Sequence, residues 1–223
     1  MSRTSQRRNQ RSESGKLNRG IALRDLGRLD EAIAAYEKAL SLNSDHAQSH
    51  HNLGNIHSDQ GNFAKAKAAY EKALGLEPNF AEAYDNFGLL HYRAGDLDTA
   101  IRQHKRAIEI NPSFAVAHNN LGIAYLDQNR AREAAEAFGR AIQFQQGFAE
   151  AYCNRAKVFN RLGQYDQAIK DIDAALAADP DFVEAKHQKM TALEGAKSYK
   201  EALALGEDLL RIEPDNTCLK AKL

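Results

Sequence analysis

The sequence is poor in residues that mark several protein classes. Its 223 residues include only four prolines, two cysteines and no tryptophan. No apolar run approaches the roughly 20 residues that a transmembrane helix needs, and the N-terminal segment lacks the apolar core of a secretory signal. These absences exclude membrane insertion and secretion by a cleaved signal. We therefore expect a cytoplasmic protein.

Net charge is also lacking. Lysine and arginine number 30, as do aspartate and glutamate. Residues 1–16 have a net charge of +4, which leaves −4 on the rest of the chain. A weakly acidic body argues against nucleic acid as the partner, because phosphate binding needs a basic face. Residues 1–12 are predicted to form a disordered basic tail.

Motifs of catalysis and cofactor binding are missing as well. The sequence has no Gly-rich phosphate loop, no HExxH, no CxxC and no nucleophile elbow. We therefore predict no enzyme activity, no catalytic residue and no cofactor. The eight histidines are the only candidates for a metal site. Among them, His57, His91 and His118 could come near one another in neighbouring repeats, but the repeat pattern favours their packing in place of aromatic residues. No metal site is predicted.

What the chain does have is a strict period of 34 residues. Six alanines keep this spacing: Ala32, Ala66, Ala100, Ala134, Ala168 and Ala202. All four prolines share it: Pro78, Pro112, Pro180 and Pro214. Such a period indicates stacked small units rather than one closed core. It predicts six repeats, at 13–46, 47–80, 81–114, 115–148, 149–182 and 183–216.

The third repeat shows what each unit is. Apolar residues recur every three or four positions on both sides of Gly95, which predicts two amphipathic helices. Gly95 provides the positive φ at which the first helix ends, and Pro112 stops the second helix. Equivalent hinge residues are Gly27, Gly61, Asn129 and Gly163. Each repeat is therefore predicted to be a helix hairpin.

Small residues explain how the two helices approach each other. One position of the first helix is occupied by Gly54, Gly88, Gly122 and Ala156. A glycine within a helix costs about 0.5–1 kcal/mol relative to alanine, so close packing is the predicted reason for keeping it.

These residues resemble the tetratricopeptide repeat (TPR) family. The second repeat meets its pattern with Gly54, Ala66, Tyr70, Ala73 and Pro78. The resemblance covers residues 13–216 and implies an all-α, right-handed superhelical α-solenoid of six TPR hairpins. Departures are local. Position 4 of the repeat never holds tryptophan, and in repeat 6 Lys197 replaces the hinge glycine and Leu209 the alanine at position 27.

In TPR proteins the first helices line a concave groove, which implies that an extended peptide binds there. Position 6 carries a carboxamide in every repeat: Asn18, Asn52, Asn86, Asn120, Asn154 and Gln188. We call this series the amide ladder. An amide can pair with both the C=O and the N–H of a peptide. Other predicted groove residues are Asn55, Arg93, Lys157 and Arg161.

A second interpretation of the amide ladder stays open, since asparagines of adjacent helices can also bond to each other. The ladder is similar to that of O-linked N-acetylglucosamine transferases, although no catalytic domain follows here. A clamp for a C-terminal carboxylate is not expected, because His51 occupies the place of its lysine. The mixed lining, with Glu82, Asp85, Glu150 and Glu184 beside the basic residues, predicts a partner of both charge signs.

Residues 217–223 are predicted to be an incomplete seventh helix or cap, which would leave apolar surface exposed near Leu209, Leu210 and Ile212. Either two copies pair end to end into a homo-oligomer, or the chain is a fragment. The predicted function is a non-catalytic scaffold that binds a protein or an extended peptide. The alternatives are the protein-docking segment of a glycosyltransferase-type enzyme without its catalytic domain, and a self-assembling structural protein.

Overall fold

The computed structural model describes residues 15–220, apart from the side chain of Cys218. The predicted basic tail at 1–12 lies outside this range, as do residues 221–223. All regular secondary structure between residues 15 and 220 is helical. The predicted all-α fold of helix hairpins is therefore confirmed. The chain divides between Pro112 and Ser113 into two compact units, which are described separately below.

Unit 1, up to Pro112, contains three hairpins. Its helices are α1 (residues 15–25), α2 (Leu29–Leu40), α3 (Ala47–Asp59), α4 (Phe63–Leu76), α5 (Ala81–Arg93) and α6 (Leu97–Ile110). Helix α3 packs mainly against α4, and α5 against α6. The first helices α3 and α5 also contact each other.

Unit 2, from Ser113, repeats this arrangement. Its helices are α7 (Ala115–Asp127), α8 (Ala131–Phe144), α9 (Ala149–Arg161), α10 (Tyr165–Ala178), α11 (Val183–Gly195), α12 (Tyr199–Ile212) and the short α13 (Thr217–Lys220). Helices α7 and α9 are in contact, as are α9 and α11. The first helices of each unit thus form one layer.

The predicted hinges adopt the left-handed backbone. Gly95 has φ 80°, and Asn129 has φ 60°. Lys197 also has a positive φ, of 63°, although a side chain disfavours this region. Repeat 6 therefore keeps the hinge geometry without the residue that suits it.

The small residues of the first helices make room for a ring from the second. A Cβ at Gly54 would lie 2.7 Å from the Tyr70 ring, and one at Gly122 would lie 2.6 Å from Phe138. In repeat 6 the sizes are reversed, with Met190 on the first helix and Gly206 on the second, both buried. A small residue on one helix of the hairpin is thus paired with a large residue on the other. This exchange of volume keeps the two helices closely packed when the residues change.

The C-terminal end corrects one expectation. Leu209 is fully buried, because Leu219 of α13 packs into the cluster that contains Leu209, Met190 and Leu193. The prediction that apolar surface near Leu209 would be exposed is therefore wrong for this residue. Ile212, in contrast, is 50% exposed.

Candidate functional site

The amide ladder lies on the first helices, but its members differ in exposure. Asn18 is exposed on α1, whereas Asn86, Asn120, Asn154 and Gln188 are half-buried. Asn52 is only 3% exposed. Its Oδ1 accepts a hydrogen bond from Gln48 Nε2 at 3.2 Å. Asn52 therefore differs from the expectation that every ladder residue is presented to a ligand, because it is buried among its neighbours.

Unit 1 contains a cleft of about 200 Å³, which we call cleft 1. Three of its lining residues were predicted from the sequence, namely Asn55, Asn86 and Arg93. The other lining residues are Arg24, Ser58, Asp59, Tyr70 and Leu89. Helices α1, α3, α4 and α5 supply these side chains, so the cleft joins all three hairpins of the unit.

Hydrogen bonds between α3 and α5 position the amides of cleft 1. Asn86 Nδ2 lies 2.8 Å from His51 Nε2 and donates to Asn55 Oδ1 at 3.1 Å. The Tyr70 hydroxyl donates to the same Asn55 oxygen at 2.7 Å. Both N–H groups of the Asn86 side chain are therefore donated within the protein, while its Oδ1 accepts no hydrogen bond from the described residues.

His51 is the centre of this network. It is 6% exposed and packs against Phe80, with ring centroids 4.8 Å apart. Burial lowers the pKa of His51 to about 4, and the positive charge of Arg24 adds to this effect. At neutral pH the ring is uncharged, so that Nε2 can accept the hydrogen bond from Asn86. Burial likewise raises the pKa of Tyr70, which keeps its hydroxyl a donor.

Unit 2 contains a second cleft, cleft 2, of about 450 Å³. Lys157, Arg161 and Gln188 were predicted from the sequence. The structure adds Asn160, Glu184 and Thr191 to the lining. These residues come from α9 and α11, which are adjacent first helices.

Cleft 2 also has an amide oxygen without a donor. Asn160 Nδ2 donates to the backbone oxygen of Gln188 at 3.1 Å and to its Oε1 at 3.2 Å. Asn160 Oδ1 is buried and has no hydrogen-bond partner between residues 15 and 220. Gln188 Nε2 donates to Glu184 Oε1 at 3.0 Å. Burial raises the pKa of Glu184, but the hydrogen bond from Gln188 and the charge of Lys157 outweigh it, so that the pKa is lowered.

Four members of the amide ladder line neither cleft: Asn18, Asn52, Asn120 and Asn154. Asn154 instead donates to Asn119 Oδ1 of α7 at 3.1 Å. Like the Asn86–Asn55 contact, this bond joins the first helices of successive repeats. The interpretation that ladder asparagines bond to adjacent helices thus describes these two residues.

The described residues contain no group of three side chains that could hold a metal ion. His91 packs on Phe87 at 4.7 Å between centroids, and His118 stacks on Phe144 at 5.4 Å. Burial raises the pKa of the Cys153 thiol to about 11, so it is protonated at neutral pH. Between residues 15 and 220, the helices are all too short or too polar to cross a bilayer.

Sequence reasoning missed Arg24, Ser58 and Tyr70 as cleft residues. Arg24 and Ser58 share position 12 of their repeats, next to position 13, which holds the predicted groove residues Arg93 and Arg161. The position of Arg24 and Ser58 within the repeat could therefore have identified them as cleft residues. Tyr70 carried no such signal, since its ring is in the core and only the hydroxyl reaches the cleft. His51 was also missed, because position 5 varies among the repeats.

Protein-family models for the tetratricopeptide repeat match several segments of the chain. Family models described as TPR repeat match residues 20–61 and 88–129, and models described as tetratricopeptide repeat match 47–80, 115–146 and 149–182. No curated protein sequence gives a significant match.

Solved structures agree with the family models. The structure of PilF from Pseudomonas aeruginosa is 17% identical, with a TM-score of 0.86 over 96% of this chain and 97% of that one. A structure of MamA is 29% identical, with a TM-score of 0.64 over 72% of this chain and 94% of that one. The protein YrrB, described as a TPR protein with an unusual peptide-binding site, is 25% identical, with a TM-score of 0.62 over 78% of this chain and 90% of that one.

Proposed function

Because the chain belongs to the tetratricopeptide repeat family, we propose that it is a non-catalytic protein that binds an extended peptide segment of a partner protein. The segment would contact the first helices at cleft 1 and cleft 2. Proteins of this family are typically scaffolds for protein–protein interaction, and YrrB is a relative described as having a peptide-binding site. We also propose that the protein is located in the cytoplasm.

The observation that carries the proposal is an amide oxygen without a donor at each cleft. Asn86 lines cleft 1, and both N–H groups of its amide are used within the protein, whereas its Oδ1 accepts no hydrogen bond from the described residues. Asn160 lines cleft 2. Its Oδ1 is closed to solvent and has no hydrogen-bond partner among the described residues, so a peptide reaches it only when the side-chain amide rotates towards the cleft. A buried acceptor left unsatisfied costs about 1–3 kcal/mol. The backbone N–H of an extended peptide would satisfy it.

An extended peptide suits these acceptors for a chemical reason. Its backbone N–H groups are free, whereas those of a helix are mostly used internally. Contacts to the backbone also place few demands on the sequence of the ligand. Specificity then has to come from other side chains of the clefts.

The alternative functions gain no specific support. Leu219 covers Leu209, which removes part of the apolar surface on which end-to-end pairing would depend. No observation among the described residues favours glycosyl transfer over simple binding.

Selection from a random dodecapeptide display library, with the whole chain immobilised, tests the proposal. Selected peptides are then synthesised with a fluorophore, and their affinity is measured by fluorescence anisotropy. Asn86→Ala and Asn160→Ala should each weaken binding about 5- to 10-fold, as expected for the loss of one hydrogen bond. Gln143→Ala, at an exposed position of α8, is the matched control and should bind like the parent.

Two results would overturn the proposal. One is that no peptide is enriched over several rounds. The other is that enriched peptides bind both cleft variants as tightly as the parent, while circular dichroism shows that the variants remain helical.

A further inference from the structure

Each cleft combines two basic side chains with one carboxylate. Cleft 1 has Arg24 and Arg93 beside Asp59. Cleft 2 has Lys157 and Arg161 beside Glu184. Each cleft therefore has a formal charge of +1 in a protein whose total charge is zero. An excess of positive charge favours a ligand that carries negative charge.

The basic side chains of cleft 1 make few hydrogen bonds, and these bonds are long. Arg93 uses only Nη1, which donates to Ser58 Oγ at 3.2 Å and to Asp59 Oδ1 at 3.4 Å. Arg24 uses only Nη2, at 3.3 Å from Asp25 Oδ1. The remaining N–H groups of both guanidinium groups donate to no described residue. Arg93 is also half exposed, so a ligand can reach it.

The basic side chains of cleft 2 also make only long polar contacts. Lys157 Nζ lies 3.4 Å from both Glu184 Oε1 and Asn154 Oδ1. Arg161 makes one hydrogen bond to the described part of the chain, in which Nη1 donates to the backbone oxygen of Leu126 at 3.5 Å.

Two arginines outside the clefts, Arg155 and Arg130, are held by shorter bonds to carboxylates, whereas Arg102 and Arg140 on exposed helix faces make one hydrogen bond each. Arg155 binds Asp171 through two hydrogen bonds of 2.7 Å, and Arg130 donates to Glu133 at 2.6 Å. Charge-assisted hydrogen bonds are normally about 2.7–2.9 Å long. The cleft cations thus retain N–H groups that no described residue uses and that a ligand can reach.

The acidic lining predicted from the sequence is smaller than expected. Asp85 is 2% exposed, and its Oδ1 lies 2.6 Å from Nδ1 of the buried His104. Asp85 therefore belongs to the core and offers no charge to a ligand. The expectation that Asp85 contributes to a groove of mixed charge is therefore wrong, whereas Glu82 and Glu150 are exposed on their helices.

We propose that the two clefts bind side-chain carboxylates, so that the partner segment is an extended acidic stretch rich in aspartate or glutamate. This inference rests on the proposed function and specifies its ligand class. In cleft 1 a carboxylate would accept from the unused donors of Arg24 and Arg93. In cleft 2 it would accept from Lys157 and Arg161. The amide oxygens of Asn86 and Asn160 bind the backbone next to it.

The test uses the peptides selected from the dodecapeptide library. Each is synthesised in three forms: the parent, a form with glutamine and asparagine in place of its acidic residues, and a form with an amidated C-terminus. Neutralising the side chains should weaken binding about 10-fold or more, since hydrogen bonds to charged groups are the stronger ones. Amidation should leave the affinity unchanged. Binding of the parent peptide should also weaken as salt is added.

Protein variants locate the effect. Arg93→Gln and Arg161→Gln should each weaken binding of the acidic peptide about 3- to 10-fold and leave the affinity for the neutralised peptide unchanged. Arg106→Gln and Arg140→Gln, at exposed positions of α6 and α8, are matched controls and should bind both peptides like the parent.

The outcomes separate this inference from the proposed function. If selected peptides depend on Asn86 and Asn160 but their neutralised forms bind equally well, the carboxylate inference is overturned and the proposed function stands. A loss of binding on amidation alone would also overturn it, because the ligand would then be a chain terminus. If no peptide is selected, both fail.

Discussion

The side chain of Asn86 donates to Oδ1 of Asn55 at 3.1 Å, across 31 residues of sequence. Both residues were predicted from the sequence to contact a ligand, and in the structure they are hydrogen-bonded to each other. The bond ties α5 to α3 and fixes the direction in which the Asn86 carbonyl oxygen points. Under the proposed function, this one amide therefore serves both packing and binding.

This double role predicts a loss of stability in Asn86→Ala. The variant loses the contacts with His51 at 2.8 Å and Asn55 at 3.1 Å, and the expected cost is about 1–2 kcal/mol of unfolding free energy. Urea titration followed by circular dichroism measures it. Asn18→Ala, at the same position of the first repeat but exposed, is the control and should change stability little. Equal midpoints for the two variants would show that the bonds contribute nothing.

His51 predicts a dependence of stability on pH. Its pKa is about 4 in the folded protein and about 6.5 when unfolded. The unfolded chain therefore binds more protons between these values, so the free energy of unfolding falls as the pH falls through this window. From pH 7 to pH 5 the contribution of His51 to this fall is about 2 kcal/mol.

The variant His51→Asn isolates this contribution, because all other titrating groups are kept. Urea unfolding of parent and variant at both pH values gives the difference between their pH responses. The parent should lose more stability on acidification than the variant. An identical response of the two proteins would contradict the assignment of a buried, neutral His51.

Two glycines of one hairpin predict opposite effects of the same substitution. Gly122→Ala would place a Cβ 2.6 Å from the Phe138 ring, and such overpacking costs about 1–3 kcal/mol. Gly139→Ala in α8 meets its nearest atom at 3.5 Å and should gain about 0.5–1 kcal/mol from the lower flexibility of alanine. Thermal unfolding should therefore shift in opposite directions, and a shift in the same direction would argue against the ring-on-glycine packing.

Lys197 predicts a stabilising change. With φ at 63° it is strained relative to glycine, and Lys197→Gly should raise the unfolding free energy by about 0.5–1 kcal/mol. Lys200→Gly, three residues later in α12, should lower it by about the same amount, since glycine weakens a helix. If both changes destabilise, the strain at Lys197 is not real.

The fold was accessible from the sequence because its determinants are local and repeated. Gly95 and Asn129 end their helices through their own backbone preferences, and the 34-residue period places them without knowledge of the packing. Even the exception at Lys197 was visible as a missing glycine.

The candidate site was only partly accessible, because it depends on side chains that are distant in sequence. The period located Asn86 and Arg93 but could not show that Asn52 is buried or that Asp85 pairs with His104. These outcomes follow from contacts between helices, which differ from repeat to repeat although the register is the same. His51 is the clearest case, since variation at its position concealed its role in the network.

The most direct test of the central claim is an NMR titration of the ¹⁵N-labelled chain with a peptide selected from the dodecapeptide library. The side-chain N–H₂ signals of asparagine and glutamine report on each amide separately. If the protein binds extended peptides at its two clefts, the signals of Asn55, Asn86, Asn160 and Gln188 will shift on addition of peptide, while that of Gln143 on α8 stays in place. Shifts confined to the second helices, with the cleft amides unchanged, would contradict the account.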